Sequence, residues 1–284
     1  MRMKRVTLQG PIEAEGIGLH SGKTSRVLVL PSDVEDGIMI GAVNGQTTYP
    51  IGECDVFSPG RSTCVVLPGG HTVFTVEHLL AALYGMGVDD VVILVDGGEI
   101  PIFDGSAGQW VDLLQKAGLR EKENTAKTIY DIYSPLYVES DSGDAWLACL
   151  PCESLKVTYV ISFDNSFIGT QAFAAEVTRN TFAKDIASSR TFVRLKDVEE
   201  LKKEGLARGG SLDNALVFGD NGLVNDTQMH FANECARHKA LDLLGDLALA
   251  GLPLQAHVIA YKAGHKLHLR LVDRLRRLCK GGGS

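Results

Sequence analysis

Hydrophobic and polar positions alternate over short stretches in the first third of the chain, which predicts strands separated by turns. Val27, Val29 and the leucines beside them mark one strand, and Ile38-Met-Ile40 between two glycines marks another. The run Gly16-Ile-Gly-Leu-His20-Ser-Gly22 has the look of a dinucleotide-binding fingerprint. A strand-like stretch follows it where that fingerprint needs a helix, so a hairpin turn is the better reading. The period changes at 75–84, where Leu79, Leu80 and Leu83 form an apolar helical stripe and Thr75 is placed to cap it. Residues 91–95 are a β-branched and aliphatic run, the mark of a buried strand. Asp104-Gly105 then turns into a second predicted helix, in which Ser106 and Gln109 have capping-box spacing ahead of Val111, Leu113 and Leu114.

Residues 116–127 are charged, rich in turn formers and weakly periodic, which places a domain boundary near 125. The order of elements then repeats. Strands are predicted at 129–138, 145–150 and 156–163, a helical stretch at 181–188 and a strand-like run at 215–218. A long helix over 233–250 starts at Asn233 as cap and stops at Gly251-Leu-Pro253. A strand at 256–262 and a basic amphipathic helix at 266–279 close the chain. The predicted fold class is α+β, with two domains of similar plan, 1–125 and 126–280. No residue-level repeat accompanies the duplication.

Composition narrows the function. Of 284 residues, 45% are hydrophobic and 22% charged, enough for a packed core. A net charge of −7 argues against a nucleic-acid binder, while local lysines can still oppose an anionic small molecule. No apolar run is long enough to span a membrane. The start, Met1-Arg-Met-Lys-Arg5, is basic like a signal peptide, but polar Thr7, Gln9 and Glu13 break up the residues after it, so a cytoplasmic protein is expected, and a monomer. The tail 281–284 reads as a linker or tag scar. Six scattered cysteines fit reduced thiols. Cys149-Leu-Pro-Cys152 has redox or zinc-knuckle spacing but no second pair, and it closes a strand instead of opening a helix.

The candidate chemistry sits on the long helix. His238 and Asp242 are four apart and project from one face, at the edge of the stripe made by Leu241, Leu244 and Ala248. An imidazole and a carboxylate at this spacing suit a borderline metal ion, and one more histidine would leave a position open for water. Alone, the pair reads more simply as a surface i,i+4 contact worth a few tenths of a kcal/mol; Asp246 on the same edge adds weight to the metal reading. Glu77-His78 is the best candidate for the rest of the site, since a glutamate beside a ligand histidine can act as general base. On the dipeptide alone, a glutamate that complements the helix dipole is the simpler reading. Gly264-His265 lies between a strand and a helix, where loops present catalytic side chains. His71, His230, His257 and His268 read as surface or packing residues, and the role of His20 stays open.

Six segments occur in a telling order: Thr75-Val-Glu77-His78-Leu-Leu80, Glu99-Ile-Pro-Ile-Phe-Asp-Gly-Ser106, Ser189-Arg-Thr191-Phe192, Gly209-Gly-Ser-Leu-Asp-Asn214, the helix with Arg237-His238-Lys239, Asp242 and Gly245-Asp246, and Gly264-His265. This succession, over about 5–275, resembles the UDP-3-O-acyl-N-acetylglucosamine deacetylases of lipid A synthesis. The resemblance implies a metal-dependent amide hydrolase whose two α+β domains pack their helices together between two sheets. It implies His78, His238 and Asp242 as ligands of zinc, with ferrous iron as the alternative metal. Glu77 would be the general base, His265 the charged acid tuned by Asp246, and Thr191 a hydrogen-bond donor to the tetrahedral intermediate. The substrate implied is a UDP-linked acylated amino sugar, with Lys239 and Lys262 facing the diphosphate, Phe163 stacking on uracil, and Phe192 and Gly210 also in contact. An insert at about 193–222 would form an apolar passage for the acyl chain. The family usually carries Asn where this chain has His268 and Arg near His230, a departure that touches substrate positioning and no ligand.

Two other functions share these residues. Iron oxygenases use two histidines and a carboxylate, but commonly on barrel strands with the first pair two residues apart. A non-catalytic nucleotide-sugar binding protein would leave Glu77 without a purpose beside a structural metal.

Overall fold

A computed structural model describes residues 3–45 and 47–281. Met1 and Arg2 of the basic start, and 282–284 of the predicted tail, lie outside the described residues, while Gly281 is the last residue of the terminal helix.

The first sheet has the strand order Ile12–Ile17, Thr24–Pro31, Val91–Asp96, Ile38–Ala42, Thr48–Pro50. Its neighbours pair antiparallel except Ile38–Ala42 with Val91–Asp96, which run parallel. The second sheet has the order Leu136–Glu139, Trp146–Pro151, Leu254–Tyr261, Lys156–Ser162, Thr170–Glu176. Within this order one pair is again parallel, Lys156–Ser162 with Leu254–Tyr261, and the short strand Tyr130–Asp131 joins the start of Leu254–Tyr261 in parallel as a sixth member. In each sheet the strand that comes last in the chain is threaded into the middle, and a helix follows it. The similar plan expected of the two halves is therefore present in strand order and direction. Alternation explains which face is buried: Leu254, Ala256, Val258 and Ala260 point inward, as do Val157, Tyr159 and Ile161.

The helices are α1 (Glu77–Gly85), α2 (Gly108–Ala117), the single turn α3 (Arg179–Thr181), α4 (Leu195–Lys203), α5 (Glu234–Ala248) and α6 (His265–Gly281). In α1 and α5 nearly every side chain is buried, polar ones included. A helix buried all round must be covered on every side. The two pack on each other, α5 also lies on Lys156–Ser162 and Thr170–Glu176, and α6 lies on α5 and the strands Leu136–Glu139 and Trp146–Pro151. Helices and both sheets share one continuous hydrophobic cluster. No helix among the described residues is long and apolar enough to cross a membrane.

Several local expectations change. Thr75 does not cap α1: its backbone is left-handed (φ 58) and its hydroxyl donates to Glu99 instead. Ser106 and Gln109 form no capping box, because α2 starts at Gly108, whose N–H donates to the Ser106 hydroxyl. Asn233 stands at the N-cap of α5, but its side chain accepts from Arg237 and donates to the Ala172 carbonyl. The strand expected at 129–138 is two pieces, Tyr130–Asp131 and Leu136–Glu139, and 181–188 is α3 running into a wide turn over Phe182–Ile186. The strand Thr170–Glu176 had no expectation. Part of the charged boundary segment, Leu119–Glu121, pairs with Val6–Leu8.

Candidate active site

α1 and α5 meet at Gly245. A Cβ there would overlap the carbonyl of Glu77 and the carbon that bears it, so only glycine permits the approach. Asp242 and Asp246 flank Gly245 on the helix, and the close crossing brings both beside the first turn of α1, which carries Glu77 and His78.

His78, His238 and Asp242 are buried and offer ligand atoms within 4.8 Å of one another. The Nε2 atoms of His78 and His238 lie 3.6 and 3.3 Å from Asp242 Oδ1, which has no hydrogen-bond partner among the described residues. His238 Nδ1 donates to the Ser189 carbonyl at 3.0 Å. Burial pushes the His238 imidazole down to about 4 despite the Asp242 carboxylate, so the ring is neutral and its Nε2 carries a lone pair. A lone pair facing an unpartnered carboxylate oxygen inside the protein calls for a cation between them. Two imidazoles and one carboxylate fit a divalent metal of the zinc type.

Glu77 is 2% exposed, and its Oε2 accepts from the backbone N–H of Thr63 at 3.0 Å. Burial pushes its carboxyl up to about 7, opposed by His265 and His78. His265, the first residue of α6, directs Nδ1 to Asp246 Oδ2 at 2.8 Å, with Nε2 3.6 Å from Asp242 Oδ2. Burial disfavours its charged form, but Asp246 and Asp242 outweigh this and push it up to about 9. A carboxylate and an imidazole are thus displaced upward on two sides of the His78–His238–Asp242 cluster.

His268, expected at the surface or in packing, is fully buried and belongs to this network. Its Nδ1 donates to Asp246 Oδ2 at 2.8 Å, and its Nε2 is 2.9 Å from the Tyr159 hydroxyl. Asp246, His265 and His268 also lie close enough to suggest a second metal. Their atoms stand at 2.8 Å, with a proton between them, whereas two ligands of one tetrahedral zinc stand about 3.4 Å apart. They form a hydrogen-bonded group.

The cluster opens into a cavity of about 590 Å³ lined by Glu77, His78, Phe163, Thr191, Phe192, Gly210, His238, Lys239, Asp242 and His265. Phe163 and Phe192 meet edge to face, 5.4 Å between ring centres. Thr191 is placed through Gly105, whose carbonyl accepts the Thr191 N–H at 2.7 Å and whose missing Cβ makes room for the Asn214 carbonyl. Lys239 lines the cavity, yet its ammonium lies 2.7 Å from Asp242 Oδ2. Lys262 is exposed, in a left-handed turn (φ 51), and lies outside the lining. Asp246 sits behind His265. From the segment 193–222, Leu195, Val198, Leu201, Leu212 and Val217 line the cavity, while Leu216 and Phe218 are buried in the core cluster. Leu195 and Leu212 remain half exposed.

Three participants had no expectation attached. Thr63 bridges Glu77 and Asp246. Arg61 reaches across the cavity rim to Asp197 of α4 at 3.2 Å. His20, whose role the sequence leaves open, is buried in the wall: its N–H donates to Glu99 at 2.8 Å and its Nδ1 accepts from Ala207 N–H at 3.3 Å.

The family model for UDP-3-O-acyl N-acetylglycosamine deacetylase matches residues 5–277. The chain is similar to the UDP-3-O-acyl-N-acetylglucosamine deacetylase of Nostoc sp. (strain PCC 7120 / SAG 25.82 / UTEX 2576), 44% identical over 283 residues that cover 97% of this chain and 99% of that protein. It is 41% identical over 268 residues to the protein so named in Oleidesulfovibrio alaskensis, covering 94% and 87%. The one in Leptospira biflexa serovar Patoc (strain Patoc 1 / Ames) is 39% identical over 269 residues, covering 94% and 88%.

Proposed function

This chain belongs to the UDP-3-O-acyl N-acetylglycosamine deacetylase family, and from that premise we propose that it hydrolyses the acetamide of UDP-3-O-acyl-N-acetylglucosamine. Water and the amide give acetate and the free 2-amine, in the cytoplasm, as a step of lipid A synthesis carried out by a monomer built of two α+β domains that divide near residue 125. The observation that carries the reading is the pair Glu77 and His265, buried in the wall of one cavity beside three side chains that call for a cation.

His78, His238 and Asp242 would hold the metal, which we take to be zinc. When bound, such an ion polarises the amide carbonyl and lowers the pKa of a water toward ~7. Glu77, pushed up to about 7, accepts the proton of the attacking water. Charge that builds on the carbonyl oxygen is met by Thr191 and by protonated His265. His265 then passes its Nε2 proton to the departing amine, while Asp246 keeps Nδ1–H directed inward. Phe163, Phe192 and Gly210 are assigned to the sugar nucleotide. Lys239 balances the Asp242 charge and, with Lys262 outside the cavity, is assigned to the diphosphate. Apolar side chains of 193–222 take the acyl chain.

Acetate release from the acylated UDP sugar is the test. It should vanish on chelation and return with stoichiometric zinc. His78→Ala, His238→Ala and Asp242→Ala should each lose the bound metal by elemental analysis. Acetate release that survives complete metal removal would sink the proposal, and oxygen consumption in place of acetate would move the chain to the iron oxygenases.

A further inference from the structure

Thr63 lies between the two groups to which proton transfer is assigned, in a segment that no periodicity marks. It precedes the strand Cys64–Val66 and is completely buried. Its backbone N–H donates to Glu77 Oε2 at 3.0 Å, and its carbonyl accepts from the Val76 N–H at 3.2 Å, so its peptide groups grip the start of α1 from both sides. Its hydroxyl donates to Asp246 Oδ1 at 2.6 Å. An ionised carboxylate can only accept, so the single hydroxyl proton points at Asp246 and a lone pair of Oγ1 is left for His265 Nδ1, 3.1 Å away. The Nδ1–H of His265 is then shared between Asp246 Oδ2 at 2.8 Å and Thr63 Oγ1. This fixes the ring with Nδ1 protonated and Nε2 as the atom free to exchange a proton.

We infer that Thr63 is a positioning residue for the deacetylation proposed above, a single amino acid that holds Glu77 and the Asp246–His265 pair in register. The inference rests on that reading of the site. Thr63 is absent from the cavity lining, so it acts through other residues and does not touch the substrate. Its contribution belongs to the chemical step, and a fault in it should appear in kcat and leave KM alone.

Thr63→Val keeps the shape and removes the hydroxyl. We expect kcat to fall about 10–100-fold, the usual loss when the partner of a reacting group is removed, with KM within about twofold and metal content unchanged. Thr63→Ser restores the donor and should return kcat to within about threefold of the parent. Thr63→Cys keeps the size with a weak donor and should behave like the valine variant, which provides the measurement if that variant does not fold. Val and Cys variants with parental kcat, a loss carried by KM, or a serine variant as slow as valine would each overturn the inference. A parent chain that releases no acetate when loaded with metal removes the functional reading itself, and this inference with it.

Discussion

A carboxylate and an imidazole serve as base and acid near neutral pH when their surroundings displace them from their ordinary values. Glu77 is displaced because it is buried, and it reaches about 7. His265 is buried too, but the carboxylates of Asp246 and Asp242 outweigh that and carry it to about 9. In the proposed mechanism the base works ionised and the acid works protonated, so kcat/KM should rise with pH through the Glu77 value and fall through the His265 value. A dication held at Asp242 favours ionised Glu77 and neutral His265, so both limbs of the loaded enzyme should lie at or below these values. Glu77→Gln should keep the metal and lower kcat by roughly 10²–10⁴-fold. His265→Ala should lose the descending limb, and a limb that persists in that variant would transfer the acid role to another group. At this scale His238, Asp242 and Glu77 stood out as candidates by helical spacing or adjacency to a histidine. On those grounds alone a surface pair and a dipole partner were the simpler readings, and only the six segments taken together favoured the site. Thr63 and His268 did not stand out. A lone threonine before a short strand has no period to betray it, and a histidine among the leucines and arginines of α6 looks like any other polar residue of an amphipathic helix.

Elements bring these residues together through one tight crossing. α1 and α5 touch where Gly245 meets the peptide of Glu77, and the proposed ligands come from both helices. Gly245→Ala would force the helices apart or bend one of them. Overpacking of this kind costs about 1–3 kcal/mol, or about 2–5 °C in Tm for a chain of this size. Since the crossing also sets the distance from Asp242 to His78, metal affinity should fall with stability. The checks are a thermal melt and a metal titration of the variant, and parental values in both would mean that the crossing tolerates a methyl group. Strands and long helices were readable from their alternation and stripes, as at 254–261 and 234–248. Their ends were less so, because caps depend on what is nearby in space. Thr75 has its hydroxyl drawn to Glu99 from a distant loop, and Asn233 has its side chain drawn to Arg237 and Ala172. The pairing of Leu119–Glu121 with Val6–Leu8 was hidden for the same reason, since its partner lies at the other end of the first half.

At the scale of the whole molecule, the duplicated plan gives the site cavity walls from both halves. Leu19, His20, Arg61 and Ile102 stand on one side, and Leu195, Val198, Leu201 and Leu212 on the other. Arg61 joins Asp197 over the rim, His20 accepts from the Ala207 N–H, and the Arg208 and Gly209 N–H groups donate to the His20 and Leu19 carbonyls, so the segment 193–222 is fastened to the first half through Arg61 and along Leu19 and His20. Leu195 and Leu212 are half exposed, 50% and 51%, although each lines the cavity. Single exposed leucines are ordinary, but two at the mouth of an apolar cavity suit an apolar ligand. Each methylene of a bound acyl chain is worth about 0.8 kcal/mol when buried. Removing roughly ten of them from the substrate should therefore cost several kcal/mol in kcat/KM, even after ordering costs are subtracted. Leu195→Gln and Leu212→Gln alter positions the core does not need, so folding and metal content should hold. Both variants should lose about tenfold on the long-acyl substrate, since a polar tip in the wall forfeits about 1–2 kcal/mol of apolar contact. On the des-acyl analogue they should match the parent. Kinetics of parent and variants on both substrates give the answer. A parent that turns over the two substrates equally well would mean that the cavity reads only the sugar and its nucleotide, and that the leucines at its mouth serve the packing of 193–222 alone.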